Sequence, residues 1–322
     1  MPSIMKTAGA LAGLIALASA LPGQPKLSTR QEHIYNLSKR QNAAAAAAGL
    51  TDVDILQFAL TLEWLEATFY SQGFQQFPDT DFEALGLNAQ QLSDLKSIGT
   101  SEAAHVDLLQ SSIAQAGVQP VQPCQYNFGF TDAAGMVATA SILENVGVSA
   151  YLGAAPLVSD GKILSTAGAI LTVEARHQSF IRAASGVAVS PSPLDTPLGP
   201  KAIFSLAAPF ITSCPGGSNL ILTAFPSLAL SSPAPVAGVM NVVQGTVLQL
   251  QSDAASGATF CGFTNSAAPG GTAFTAFTAD AGCALPPNLA GVVYVTLTSD
   301  APNTGVLTDD ITVAGPMVMI LS

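Results

Sequence analysis

One short pattern, present twice, constrains this chain more than any other feature. It occurs at Ser101-Glu102-Ala103-Ala104-His105 and again at Val173-Glu174-Ala175-Arg176-His177. In each copy a glutamate stands three residues before a histidine, within an apolar, Ala-rich run. On an α-helix such positions share a face, so both side chains reach one point in space. A carboxylate oxygen and an imidazole nitrogen meeting there form a metal-ligand pair. The chain has three histidines, and His33 lies in a leader segment described below, so both of the others stand in this arrangement. The alternative use for such residues is a pair of histidines satisfied by hydrogen bonds inside a helical core. The duplication favours ligands.

The duplication extends further. Leu62-Glu63, followed by Tyr70, matches Leu143-Glu144, followed by Tyr151, with glutamate and tyrosine two helical turns apart in each. Apolar periodicity and capping residues predict four helices. The first starts at Thr51-Asp52 and ends near Gln72, and the second covers residues 88–116 and is closed by Gly117. The third starts at Thr131-Asp132 and ends before Pro156, and the fourth covers residues 159–186. Residues 74–86 read as a turn region and 118–130 as an extended crossover. Each half is therefore a helix with a glutamate followed by a helix with Glu-x-x-His. Glu144 lies mid-helix in apolar surroundings, a placement that is costly unless the carboxylate is paired or metal-bound. Its Glu-Asn centre and lack of basic flanks argue against a membrane span there.

This arrangement resembles the ferritin-like four-helix-bundle family, whose members hold a pair of metal ions with such a ligand set. More narrowly, the run from Asp54 to Glu66 (DILQFALTLEWLE) is similar to secreted fungal ferritin-like proteins associated with stress and sexual development. The resemblance covers residues 51–186. It implies that Glu63, Glu102, His105, Glu144, Glu174 and His177 bind two divalent ions, iron or manganese. It also implies a metal-handling protein or an oxidoreductase acting on O2 or peroxide, as a ferroxidase or in peroxide removal. Tyr70 matches a tyrosine that ferritins place seven residues after the first ligand, close to the metal, and is the expected catalytic residue. Taken singly, Tyr70 and Tyr151 also fit as core aromatics. Glu66 has no fixed counterpart and either supports the ligands or competes with Glu63. The long segment after the bundle would obstruct a ferritin shell, so iron storage is not expected. The other class to weigh is a secreted structural or surface-interaction protein that keeps the bundle without catalysis.

Residues 1–20 read as a signal peptide, with Lys6, an apolar core at 8–17, and Ala18-Ser19-Ala20 as cleavage site. That core is shorter than the roughly 20 residues that span a bilayer. Residues 21–40 read as a propeptide ending in the dibasic Lys39-Arg40, so the mature chain would start at Gln41; a flexible basic linker is the alternative. Removing 1–40 leaves five basic against twenty acidic groups, a net charge of −15. Such a chain is a poor partner for nucleic acid, and its composition suits an extracellular or cell-wall-associated protein. No transmembrane segment is expected in the mature chain. Residues 41–49, Ala-rich, read as a lead-in.

The expected fold class is mainly α plus β: the bundle, a Pro-rich arm at 187–232 with a short helix at 199–210, and a small C-terminal β-sandwich at 233–322. Five short runs of strand character, at 246–252, 259–264, 272–278, 292–298 and 311–321, support the sandwich. It contains no histidine, which excludes a cupredoxin copper site. A packing or surface-binding module, with a cell-wall or surface partner, is the expectation for it. The four cysteines allow three pairings. Cys261–Cys283 within the β domain and Cys124–Cys214 between crossover and arm are the favoured pairs.

Overall fold

The computed structural model describes residues 50–218, 222–233 and 242–321. The signal peptide, propeptide and lead-in expected at 1–49 lie outside the described residues. Helix α1 (Asp52–Gln76) starts at a capping box in which Thr51 and Asp54 bond reciprocally. It runs one turn beyond the expected end, where Phe74 and the capping Phe77 join the core. The region expected as a turn holds a short helix, α2 (Asp79–Ala84), anchored by the buried Phe82. Asn88 and Gln91 form a second capping box for α3 (Ala89–Gln115), and Gly117 takes the left-handed conformation after its end (φ 78°). Asp132 caps α4 (Ala133–Ala154), and Asp160 caps α5 (Gly161–Ala184).

These four long helices pack as a bundle, α1 against α3 and α4 against α5. The Asp52 carboxylate accepts hydrogen bonds from Ser159 N (2.8 Å), Ser159 Oγ (2.9 Å) and Asp160 N (2.8 Å). The starts of α1 and α5 are thereby tied at one end of the bundle. The helices α3 and α4 both run toward that end, so the crossover between them travels the length of the bundle. Among the described residues one helix, Ala133–Leu157, is long and apolar enough to cross a membrane. In this fold it is the bundle's core helix, with Glu144 and Asn145 buried at its centre.

In the crossover, β1 (Gln125–Tyr126) pairs with β2 (Ile211–Ser213) of the arm, flanked by the disulfide Cys124–Cys214. Between these strands the arm forms α6 (Pro200–Ala207), which lies on α4. Gly153 makes the approach feasible: Leu198 N bonds Ser149 O at 3.1 Å, and a Cβ at Gly153 would meet Leu198 O at 1.8 Å.

The C-terminal part consists of two antiparallel sheets. One has the order β3-β4-β7 (Ala229–Ser232, Val247–Gln251, Cys283–Ala284). The other has the order β6-β5-β8-β9 (Thr272–Ala276, Phe260–Thr264, Gly291–Thr298, Thr312–Leu321). Leu248 and Leu250 of the first sheet share a core with Phe263, Val293, Val295 and Leu297 of the second. Cys261–Cys283 joins the two sheets. Strand β3 falls in the stretch expected as arm; Leu230, with Leu228 just before the strand, carries its apolar signal between Pro226 and Pro233. From β8, the Tyr294 hydroxyl meets Ser149 Oγ at 2.6 Å and donates to Asn145 O at 3.1 Å. The β domain is thus pinned to the helix that carries Glu144.

Both disulfides match the favoured pairs. Their loops, 90 and 22 residues, correspond to about 3 to 5 kcal/mol each through restriction of the unfolded chain. Reduction is therefore expected to lower the melting temperature by more than about 10 °C, since each kcal/mol is worth roughly 2–4 °C in a domain of this size. Thermal scans with and without reductant check this, and equal melting temperatures would contradict it.

Candidate metal centre

The four long helices deliver seven ionisable side chains to the middle of the bundle: Glu63 and Glu66 from α1, Glu102 and His105 from α3, Glu144 from α4, and Glu174 and His177 from α5. All seven are buried. Six of them form two overlapping sets of potential ligand atoms. Glu63, Glu102, His105 and Glu174 make one, and Glu102, Glu144, Glu174 and His177 the other; within each, the atoms lie within 4.8 Å of one another. Glu102 and Glu174 belong to both sets. The first half-site is thus completed by α1 and α3, the second by α4 and α5, and the two glutamates of the Glu-x-x-His motifs lie between.

The histidines face the shared carboxylates. His105 Nδ1 lies 3.3 Å from Glu63 Oε2, 3.2 Å from Glu102 Oε2 and 3.2 Å from Glu174 Oε1. His177 Nδ1 lies 2.8 Å from Glu102 Oε1 and 3.2 Å from Glu144 Oε2. The rings stack with centroids 6.2 Å apart. One ring nitrogen donates at most one proton, yet His105 Nδ1 faces three carboxylates from three helices. Glu174 Oε2 is buried without a hydrogen-bond partner, and Glu63 Oε2, Glu102 Oε1 and Glu174 Oε1 meet only the shared imidazole nitrogens. Orphaned carboxylate oxygens converging with imidazole nitrogens are what divalent cations satisfy. Four carboxylates also balance the charge of two such ions.

Two tyrosines close the ends of the cluster, and they do so crosswise. The Tyr70 hydroxyl on α1 donates to Glu144 Oε1 at 2.5 Å, and the Tyr151 hydroxyl on α4 donates to Glu63 Oε1 at 2.5 Å. Each tyrosine therefore holds the glutamate of the other half rather than the one seven residues before it. Tyr151, matched to Tyr70 in the sequence by the repeated Glu-to-Tyr spacing but not named there as a catalytic residue, is placed symmetrically to it. Sequence reading also missed the Gln178–Asn145 hydrogen bond beside the motifs, and Gly147. A Cβ at Gly147 would stand 2.7 Å from Glu174 Oε2 and 3.3 Å from Glu66 Oε1. A glycine one turn after Glu144 therefore makes room for two carboxylates. Glu66 lies in neither set of potential ligands.

Electrostatics follow from packing so many acids together. Burial pushes Glu63 up to about 7, although His105 and Tyr151 pull against it. Burial and neighbouring carboxylates push Glu66 and Glu174 well above the usual range, and burial raises Glu144. Glu102 is the exception. Burial opposes its charge, but hydrogen bonds from His105 and His177 prevail and hold it at about 2. In return, carboxylate neighbours outweigh burial and raise His105 to about 12 and His177 to about 9. Without cations the cluster is thus a network of neutral and paired acids; with them, the protons are displaced.

Comparison with known proteins agrees with this geometry. Residues 51–187 match the model of the ferritin-like domain. Protein rds1 of Schizosaccharomyces pombe is 27% identical over 183 residues, 56% of this chain. The matched region spans 45% of the relative's length. The helical part of the chain, residues 51–187, is a ferritin-like domain whose buried Glu/His clusters can hold metal ions.

Proposed function

We propose that this domain binds two divalent ions, iron or manganese, and that the protein handles metal or reduces O2 or peroxide at them. The observation that carries the reading is the sharing of Glu102 and Glu174 between two ligand sets that each also hold one histidine and one further glutamate. Mixed carboxylate and imidazole donors suit iron and manganese. Bound there, such ions supply redox chemistry toward O2 or peroxide. The chain's own residues do the rest. Glu63 with His105, and Glu144 with His177, would each hold one ion, while Glu102 and Glu174 would lie between them. Tyr70 and Tyr151 keep Glu144 and Glu63 oriented through their hydroxyl protons, as outer partners of metal ligands do. Apolar clusters pack around the centre on both sides.

Elemental analysis after chelator-free purification tests the reading: about two ions per chain are expected. A protein free of iron and manganese, whose melting temperature does not respond to either added ion, would contradict it. Glu102, His105, Glu174 and His177 would then be a buried polar network in a structural protein.

The two disulfides suit an oxidising compartment. Together with the leader they support a secreted, extracellular or wall-associated protein. N-terminal peptide mass spectrometry of the secreted form is expected to find Gln41 at or near the start. Leu21 in its place would remove the propeptide.

A further inference from the structure

We infer that the bundle takes up an aliphatic chain with an acidic head group, in a pocket whose inner end is formed by Glu63 and Glu66. This deepens the di-metal reading by naming the class of organic molecule that reaches the centre, and it rests on that reading only for this last step. The pocket, about 280 Å³, opens at the end of the bundle where α1 and α5 begin and α3 and α4 end. An apolar cavity of about 150 Å³ already takes up benzene, so this one has room for a larger hydrocarbon.

Its walls are apolar, with Leu56, Phe58, Leu62 and Ile163 prominent. Between Val53 at the outer end and Glu63 at the inner one lies about 15 Å of α1, at the rise of an α-helix. A volume of about 280 Å³ spread over that length leaves a cross-section of roughly 20 Å², room for a single extended chain. Three charged side chains line it: Glu63 and Glu66 inside, and Lys162, exposed, in the first turn of α5. No lining side chain outward of Glu63 and Glu66 is acidic, and Lys162 is the one lining cation, at the end where Asp52 and Asp160 also stand. The pocket's apolar walls do not suit a hydrated metal ion. It suits a molecule whose apolar part leaves water while its anionic head stays at the rim beside Lys162. Gly147, which also lines the pocket, leaves the carboxylates of Glu66 and Glu174 room at its floor.

Isothermal titration calorimetry of the full chain with dodecanoate, dodecan-1-ol and an acyclic sugar alcohol as polar control tests this, on metal-loaded and chelator-stripped samples. Dodecanoate is expected to bind once per chain, with a negative heat-capacity change, and the sugar alcohol not at all. Ala59→Phe, one turn before Glu63, should weaken dodecanoate at least about tenfold, the equivalent of two methylenes left in water. Ala167→Phe on α5 serves the same purpose if the first variant fails to fold. Lys162→Gln should weaken dodecanoate while leaving dodecan-1-ol unchanged. No uptake of either amphiphile, or uptake untouched by both phenylalanine variants, would overturn the proposal. Uptake only by a chain starting at Leu50 would assign the pocket to the preceding segment instead. Metal content measured on the same samples separates the two readings: ions kept without uptake sinks the pocket alone, and uptake without ions sinks the centre alone.

Discussion

Glu102→Ala is expected to strip the protein of both ions, whereas Glu144→Ala and His177→Ala should each leave about one ion per chain. The difference follows from the shared position of Glu102, which serves both ligand sets while Glu144 and His177 serve one. Glu83→Ala changes an exposed carboxylate outside the cluster and should leave occupancy at about two. Removing Glu102 also takes the counter-charge from two nearly buried histidines, and deleting one member of a buried ion pair costs on the order of 3 kcal/mol. Glu102→Gln, which preserves volume, keeps the test usable if the alanine variant fails to fold. Elemental analysis of these five variants reads the result. Equal losses in Glu102→Ala and Glu144→Ala would contradict the shared role.

The second large effect is on stability. With free ion a thousandfold above Kd, each site adds about 4 kcal/mol, a rise on the order of 10 °C for a domain of this size. The gap between metal-loaded and metal-free protein should widen as pH rises. Glu63 is raised from 4.5 to about 7, so the folded metal-free protein binds its proton more tightly than the unfolded chain. That stability is complete below the unfolded value and is lost as pH climbs through the folded one. The raised Glu144, Glu174 and Glu66 act in the same direction. His177, raised from 6.5 to about 9, extends the loss upward, and His105, at about 12, extends it further. Glu102 acts oppositely, but only as pH falls from 4.5 toward about 2. The metal-free protein should therefore melt progressively lower from about pH 5 to about pH 8. Over the same range ions compete better with departing protons and the loaded form gains. A metal-free melting temperature that stays flat or rises over this interval would contradict the account.

Much of this centre is legible in the sequence because its residues sit mid-helix, where periodicity is strictest. Two Glu-x-x-His motifs and two further glutamates at matched positions imply convergence once four helices are laid side by side. The caps at Thr51, Asn88, Asp132 and Asp160 are equally readable, since each is a side chain bonding its own helix start. What depends on packing between halves is not. That Tyr70 donates to Glu144 and Tyr151 to Glu63 follows from how α1 and α4 face each other, and sequence spacing alone suggests the reverse pairing. Strand β3 is hidden for a different reason: a short edge strand between prolines carries too few alternating residues to stand out from the arm. Helix α2 is short and held by one buried phenylalanine, so a turn and a helix look alike there.

Anomalous diffraction from crystals of the metal-loaded protein, collected on both sides of the iron and manganese absorption edges, tests the central claim most directly. The account predicts two peaks in the bundle core, one beside His105 and Glu63 and one beside His177 and Glu144, with Glu102 and Glu174 lying between them. Density with no anomalous peak among these six residues, or with peaks only at surface carboxylates such as Asp79 or Asp81, would contradict it.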